Sequence, residues 1–176
     1  MSSEPTGPAG GARPEEGGRA GEFVVRPEVE LAEAFGGLTR QLRRRYPIDK
    51  GVLVLRDDNS RLAAISTYNH GLVREGLKLN LPSETSLFEK VAEDGRVYSE
   101  EFVDSFSGNF FERKLLLDED SRCFVVQPLK SEGRVLGLLG YSSCREGAFV
   151  TFEEGALDEI ASRFGSMIEG ALHRRP

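Results

Sequence analysis

Apolar residues recur every three or four positions at Leu31, Phe35, Leu38, Leu42 and Tyr46, which predicts an amphipathic helix of about 18 residues. Pro27 suits its first turn, and Glu28 and Glu30 lie where the positive end of the helix dipole favours anions. Arg43, Arg44 and Arg45 fall at the opposite end, and Pro47 stops the run. Gly36 and Gly37 lower helix propensity by up to about 1 kcal/mol each, so the helix relies on packing.

The period then shortens. Residues 51–56 (GVLVLR) and 61–68 (RLAAISTY) are extended runs on either side of Asp57, Asp58, Asn59 and Ser60, a pattern that predicts a β-hairpin. Leu77, Leu79 and Leu81 alternate with Lys78 and Asn80 as a third strand ended by Pro82. Ser86 and Glu89 form a capping-box pattern ahead of Val91 and Ala92, and Gly95 is placed to end that helix. Residues 96–102 are read as a strand, and residues 106–117 (FSGNFFERKLLL) as a turn and a short helix.

Residues 122–129 and 134–143 flank the turn KSEG at 130–133. Both strands are apolar on both parities, which predicts cover on both faces. Thr151 and Glu154 form a second capping box, opening a stripe through Phe152, Ala156, Ile160, Phe164, Met167 or Ile168, and Ala171. The expected architecture is α+β: an antiparallel sheet with the N- and C-terminal helices on one face and the central short elements over the other.

Composition narrows the class of partner. Lys+Arg at 23 against Asp+Glu at 29 gives a net charge of -6, which argues against a broad nucleic-acid surface. Residues 1–22 hold six Gly and three Pro and are expected to form a disordered tail ahead of a single domain at 23–176. Neither a membrane span nor a signal-peptide h-region is visible, so a cytoplasmic protein is expected.

The run FVVQPLKSEGRVLGLLGYSS followed by AFVTFEEGALDEIASRFGSMIEGAL resembles the closing part of a GAF domain, and SLFEKVAEDGRVYSEEF resembles that family's middle helix and next strand. The resemblance runs from about Val29 to Leu172. It implies a profilin-like fold with a small-molecule pocket beneath loops and short helices. It also implies a sensory or regulatory role, as a homodimer that signals to a protein partner through its terminal helices. The bilin class needs a Cys with surrounding His, and the cyclic-nucleotide class a spaced signature of which only Asp118 and Glu119 are present. The ligand and any cofactor are therefore left unassigned.

Candidate pocket residues come from two segments. Tyr68, Asn69 and His70 end a strand and lead into a loop expected to overhang the pocket. Phe106, Asn109, Phe110 and Arg113 place aromatics beside an amide and a guanidinium, as a pocket for a planar or anionic metabolite requires. One GAF branch resembles free methionine sulfoxide reductases, so the two cysteines are a second candidate. With Leu129 opposite Val135, Cys123 faces Tyr141 and Cys144 lies about 10 Å away, farther than the roughly 7 Å a disulfide spans. Cys123 is then a core residue and Cys144 the candidate redox thiol. Two Cys and two His are too few for a dedicated metal site. No nucleophile elbow or phosphate-binding loop is present, so a non-enzymatic role is expected. A ligand-free dimerisation scaffold is the remaining alternative.

Overall fold

The computed structural model describes residues 27–75, 77–103 and 106–150, together with 160, 161, 164, 165 and 167. The expected tail and the second capping box lie outside the described residues, as does most of the closing helical stripe. The chain opens with helix α1 (Pro27–Arg43), followed by strands β1 (Lys50–Arg56), β2 (Leu62–Asn69), β3 (Leu72–Arg74) and β4 (Leu79–Asn80). Helix α2 (Leu87–Asp94), strand β5 (Tyr98–Glu100), helix α3 (Phe110–Leu116), and strands β6 (Cys123–Ser131) and β7 (Arg134–Ser143) complete the order.

Among the described residues the strands form one antiparallel sheet in the order β3-β2-β1-β7-β6-β5, with β4 joining β2 beyond β3. Strand alternation sends successive side chains to opposite faces. Leu53, Leu55 and Tyr141 pack with Leu31, Phe35 and Leu42 of α1 and with Ala161 and Phe164 near the C-terminus. Helical residues from both ends of the chain thus cover the same side. Gly165 lies there against the backbone of Lys130, so close that a Cβ would collide with it. On this face Thr39 donates to Phe35 O at 2.7 Å and accepts from the Tyr141 hydroxyl at 2.8 Å. Burial pushes the Tyr141 phenol far above its ordinary pKa, despite the bond to Thr39.

The other face is equally filled. Val52, Val54, Leu62, Phe124, Val126 and Leu138 pack against Leu87, Phe88, Val91 and Ala92 of α2 and Leu116 of α3. The caps of α2 follow the sequence: the Ser86 hydroxyl accepts from Glu89 N at 2.9 Å, and Gly95 takes the left-handed conformation.

Two expectations change. The segment after Tyr68 is no overhanging loop: His70 and Gly71, both at positive φ, make a two-residue turn into β3. The final hairpin also turns later than KSEG suggests, on Glu132 and Gly133. An irregularity at Leu129 and Lys130 sets Leu129 opposite Gly137 rather than Val135, and Cys123 opposite Ser143 rather than Tyr141. Cys144 is therefore one residue beyond the partner of Cys123, not three.

Candidate functional site

The site is built on α3. Asn109 caps it: its side chain accepts from Glu112 N at 3.0 Å, and Glu112 accepts in return from Asn109 N at 3.1 Å. The fully buried Glu112 carboxylate also accepts from Leu87 N at 2.8 Å, Phe88 N at 3.1 Å and the Ser86 hydroxyl. One side chain therefore joins the first turns of α2 and α3. With Glu112 and Leu116 turned inward, helical spacing places Phe110, Arg113 and Lys114 together on a different face, and the buried Leu117 follows as the extended C-cap.

Phe110, Arg113, Lys114 and Leu117 line a cleft of about 580 Å³. Phe102 and Val103 after β5, the segment from Asp118 to Arg122, and Glu146 after β7 supply its other walls. Phe110 is 66% exposed and makes an edge contact with Phe111, while the Lys114 ammonium sits 5.5 Å from the Phe110 ring centroid. Arg113 lies over the Phe106 ring at 5.8 Å. Arg122 and Glu146 pair at 3.1 Å. Among the described residues, neither Arg113 nor Lys114 is ion-paired.

Asp118 ties the cleft wall to the sheet. Its carboxylate receives His70 Nε2 at 2.8 Å and Lys50 Nζ at 3.3 Å. Lys50 also donates to the Lys114 and Leu117 carbonyls, at 2.9 and 3.4 Å, satisfying the open end of α3. Burial pushes the Asp118 carboxyl upward, but the His70 hydrogen bond and the Lys50 charge outweigh it and hold it below the usual carboxylate range.

The sequence-derived candidates are thus distributed. Phe110 and Arg113 line the cleft. Phe106 packs edge-on against Phe124 at the border of the core, and Asn109 is committed to its cap and to the Pro82 and Glu84 carbonyls. His70 reaches the site only through Asp118. Tyr68 is buried towards α1, where Arg43 stacks over its ring. Tyr68 and Asn69 also border a second, smaller cleft that shares Lys114 with the first. Sequence reasoning missed Lys50, for which no local signal exists, and passed over Asp118 as too weak a fragment of a known signature.

Both thiols are free. Cys123 is buried and donates to Arg145 O at 3.2 Å, and burial raises its pKa. Cys144 is exposed, and the hydrogen bond with the neighbouring Asp49 carboxylate raises its pKa first of all. Neither environment favours a thiolate. No group of three or more His, Cys, Asp or Glu suited to a metal ion occurs among the described residues, and no helix among them is long and apolar enough to cross a membrane.

A family model, described as the GAF domain, matches residues 30–168. No curated protein matches the sequence. Among solved structures, the GAF domain of a phosphoenolpyruvate-protein phosphotransferase from Coxiella burnetii is similar with a TM-score of 0.68 at 20% identity, over 91% of this chain and 92% of that one. The GAF domain of a two-component sensor histidine kinase from Bacillus halodurans gives 0.66 at 16% identity, over 86% of this chain and 100% of that one. A type II free methionine-R-sulfoxide reductase from Thermoplasma acidophilum gives 0.63 at 16% identity, over 83% and 96%. At such identities the likeness is one of fold.

Proposed function

The chain belongs to the GAF domain family, and from that premise we propose that it is a regulatory domain binding a planar, anionic small molecule in the cleft beside α3. The observation that carries this reading is the outward face of α3, where an exposed phenyl ring stands next to two cations that have no ion-pair partner among the described residues. Flanked by Phe111 and Lys114, the exposed Phe110 ring offers the aromatic surface that ligand pockets use. A guanidinium beside it supplies the bidentate donor that a carboxylate or phosphate needs.

The signal passes to the terminal helices, which act in a homodimer on a protein partner. Adjacent residues of β7 support that route: the Ser142 hydroxyl donates to Leu116 O of α3 on one face, while the Tyr141 hydroxyl bonds Thr39 of α1 on the other. Displacing α3 therefore strains a strand that α1 grips directly. The role is regulatory rather than catalytic, in keeping with two thiols held protonated by burial and by Asp49.

A metabolite screen by thermal shift tests the reading. Planar carboxylates or phosphates are expected to raise the melting temperature of the wild type, and Phe110→Ala and Arg113→Ala to abolish that rise without altering the melting temperature of the free protein. No rise with any such compound, or an equal rise in both variants, overturns it.

A further inference from the structure

We propose that the second cleft, of about 270 Å³ beside the β2–β3 hairpin, is a separate binding site for a dianionic oxyanion, a phosphomonoester or a small dicarboxylate. Strand pairing builds it. Thr67 lies opposite Arg74 and Asn69 opposite Leu72, while Asn69 also lies opposite Lys50 across the β1 boundary. These side chains line one concave face, and Lys114 closes it from α3.

The lining carries three cations and no carboxylate. The charge of Lys50 is answered by Asp118 at 3.3 Å. Arg74 and Lys114 have no carboxylate partner among the described residues, so two positive charges face the cleft unanswered. In a chain whose net charge is -6, like charges left together on one wall repel unless a counter-ion is present. A dianion cancels them both. The Thr67 hydroxyl and the Asn69 amide add neutral donors, and the guanidinium of Arg74 offers the fork that an oxyanion accepts. The small volume excludes a dinucleotide or an extended peptide and suits a compact anion.

The site has only Lys114 in common with the cleft proposed above, so its test is read at Arg74, which borders this cleft alone. Titration calorimetry on the full chain at constant ionic strength compares inorganic phosphate, malonate and acetate. Saturable binding of phosphate or malonate, at least about tenfold tighter than acetate, is expected. Saturation by phosphate alone assigns a phosphomonoester and by malonate alone a dicarboxylate. Arg74→Gln is expected to weaken that binding at least about tenfold, whereas Arg134→Gln, at an exposed position outside both clefts, leaves it unchanged. Arg74 is exposed, and an unchanged melting temperature confirms that its variant folds. Failure of both dianions to saturate, acetate binding as tightly, or wild-type affinity in Arg74→Gln overturns the proposal.

Discussion

Glu112 is a carboxylate with no exposure to water and four donors directed at it. Such a group is tolerated because those donors replace its hydration. Glu112→Ala leaves the donors of two helix starts unsatisfied and is expected to cost about 3 kcal/mol or more in denaturant unfolding, with Glu112→Gln intermediate. A loss below about 1 kcal/mol for Ala contradicts this account. Asp118 makes a pH prediction. Its folded pKa lies below the unfolded one, so its contribution to stability is complete above about pH 4 and disappears as the pH falls through the folded value. Wild type is therefore expected to melt above Asp118→Asn near neutrality, with the gap closing in acid; a gap that is constant with pH disproves the linkage. At Cys144 the carboxylate of Asp49 opposes ionisation. Asp49→Asn keeps an acceptor for Cys144 N, bound at 2.6 Å in the native chain, and is expected to speed alkylation of the thiol by iodoacetamide at mildly alkaline pH.

At the level of elements, two glycines in helices give opposite predictions. A Cβ at Gly37 of α1 meets nothing within 4 Å, whereas at Gly165 it meets the backbone of Lys130. Gly37→Ala is expected to stabilise the protein by up to about 1 kcal/mol, and Gly165→Ala to destabilise it by about 1–3 kcal/mol by pushing the helical residues off the β6–β7 hairpin. Comparing their thermal unfolding checks both signs. Elements with a strong period or a cap were legible in the sequence: α1, the β1–β2 hairpin, the caps of α2, and the doubly covered β6 and β7. Strand β3 was not, because three residues carry too little pattern to distinguish a strand from a loop. The β6–β7 register was missed because the irregularity at Leu129 and Lys130 has no residue signature. Of the candidate site, Phe110 and Arg113 were legible as aromatic and cation within one short helix. The meeting of His70, Lys50 and Asp118 was not, since those residues come from three separate segments and only the folded sheet end unites them.

Taken as a whole, the molecule is one sheet between two packed layers, with α1 and the C-terminal helical residues on one side and α2 and α3 on the other. The family resemblance implied a pocket beneath the short helices, and the sheet face there is occupied by Val52, Val54, Phe124, Val126 and Leu116. Clefts open at its margins, one alongside α3 and one where Lys114 and Leu115 meet the β2–β3 hairpin. If the link through β7 carries a signal, Thr39→Val, which removes the bond to Tyr141, is expected to leave ligand affinity within about twofold while lessening any ligand-dependent change in dimerisation, measured by multi-angle light scattering; equal changes in both proteins discount the link. The filled interior has a kinetic corollary. A guest that lodges at the rim never waits for the body to breathe, so capture should climb linearly with concentration and show no lag.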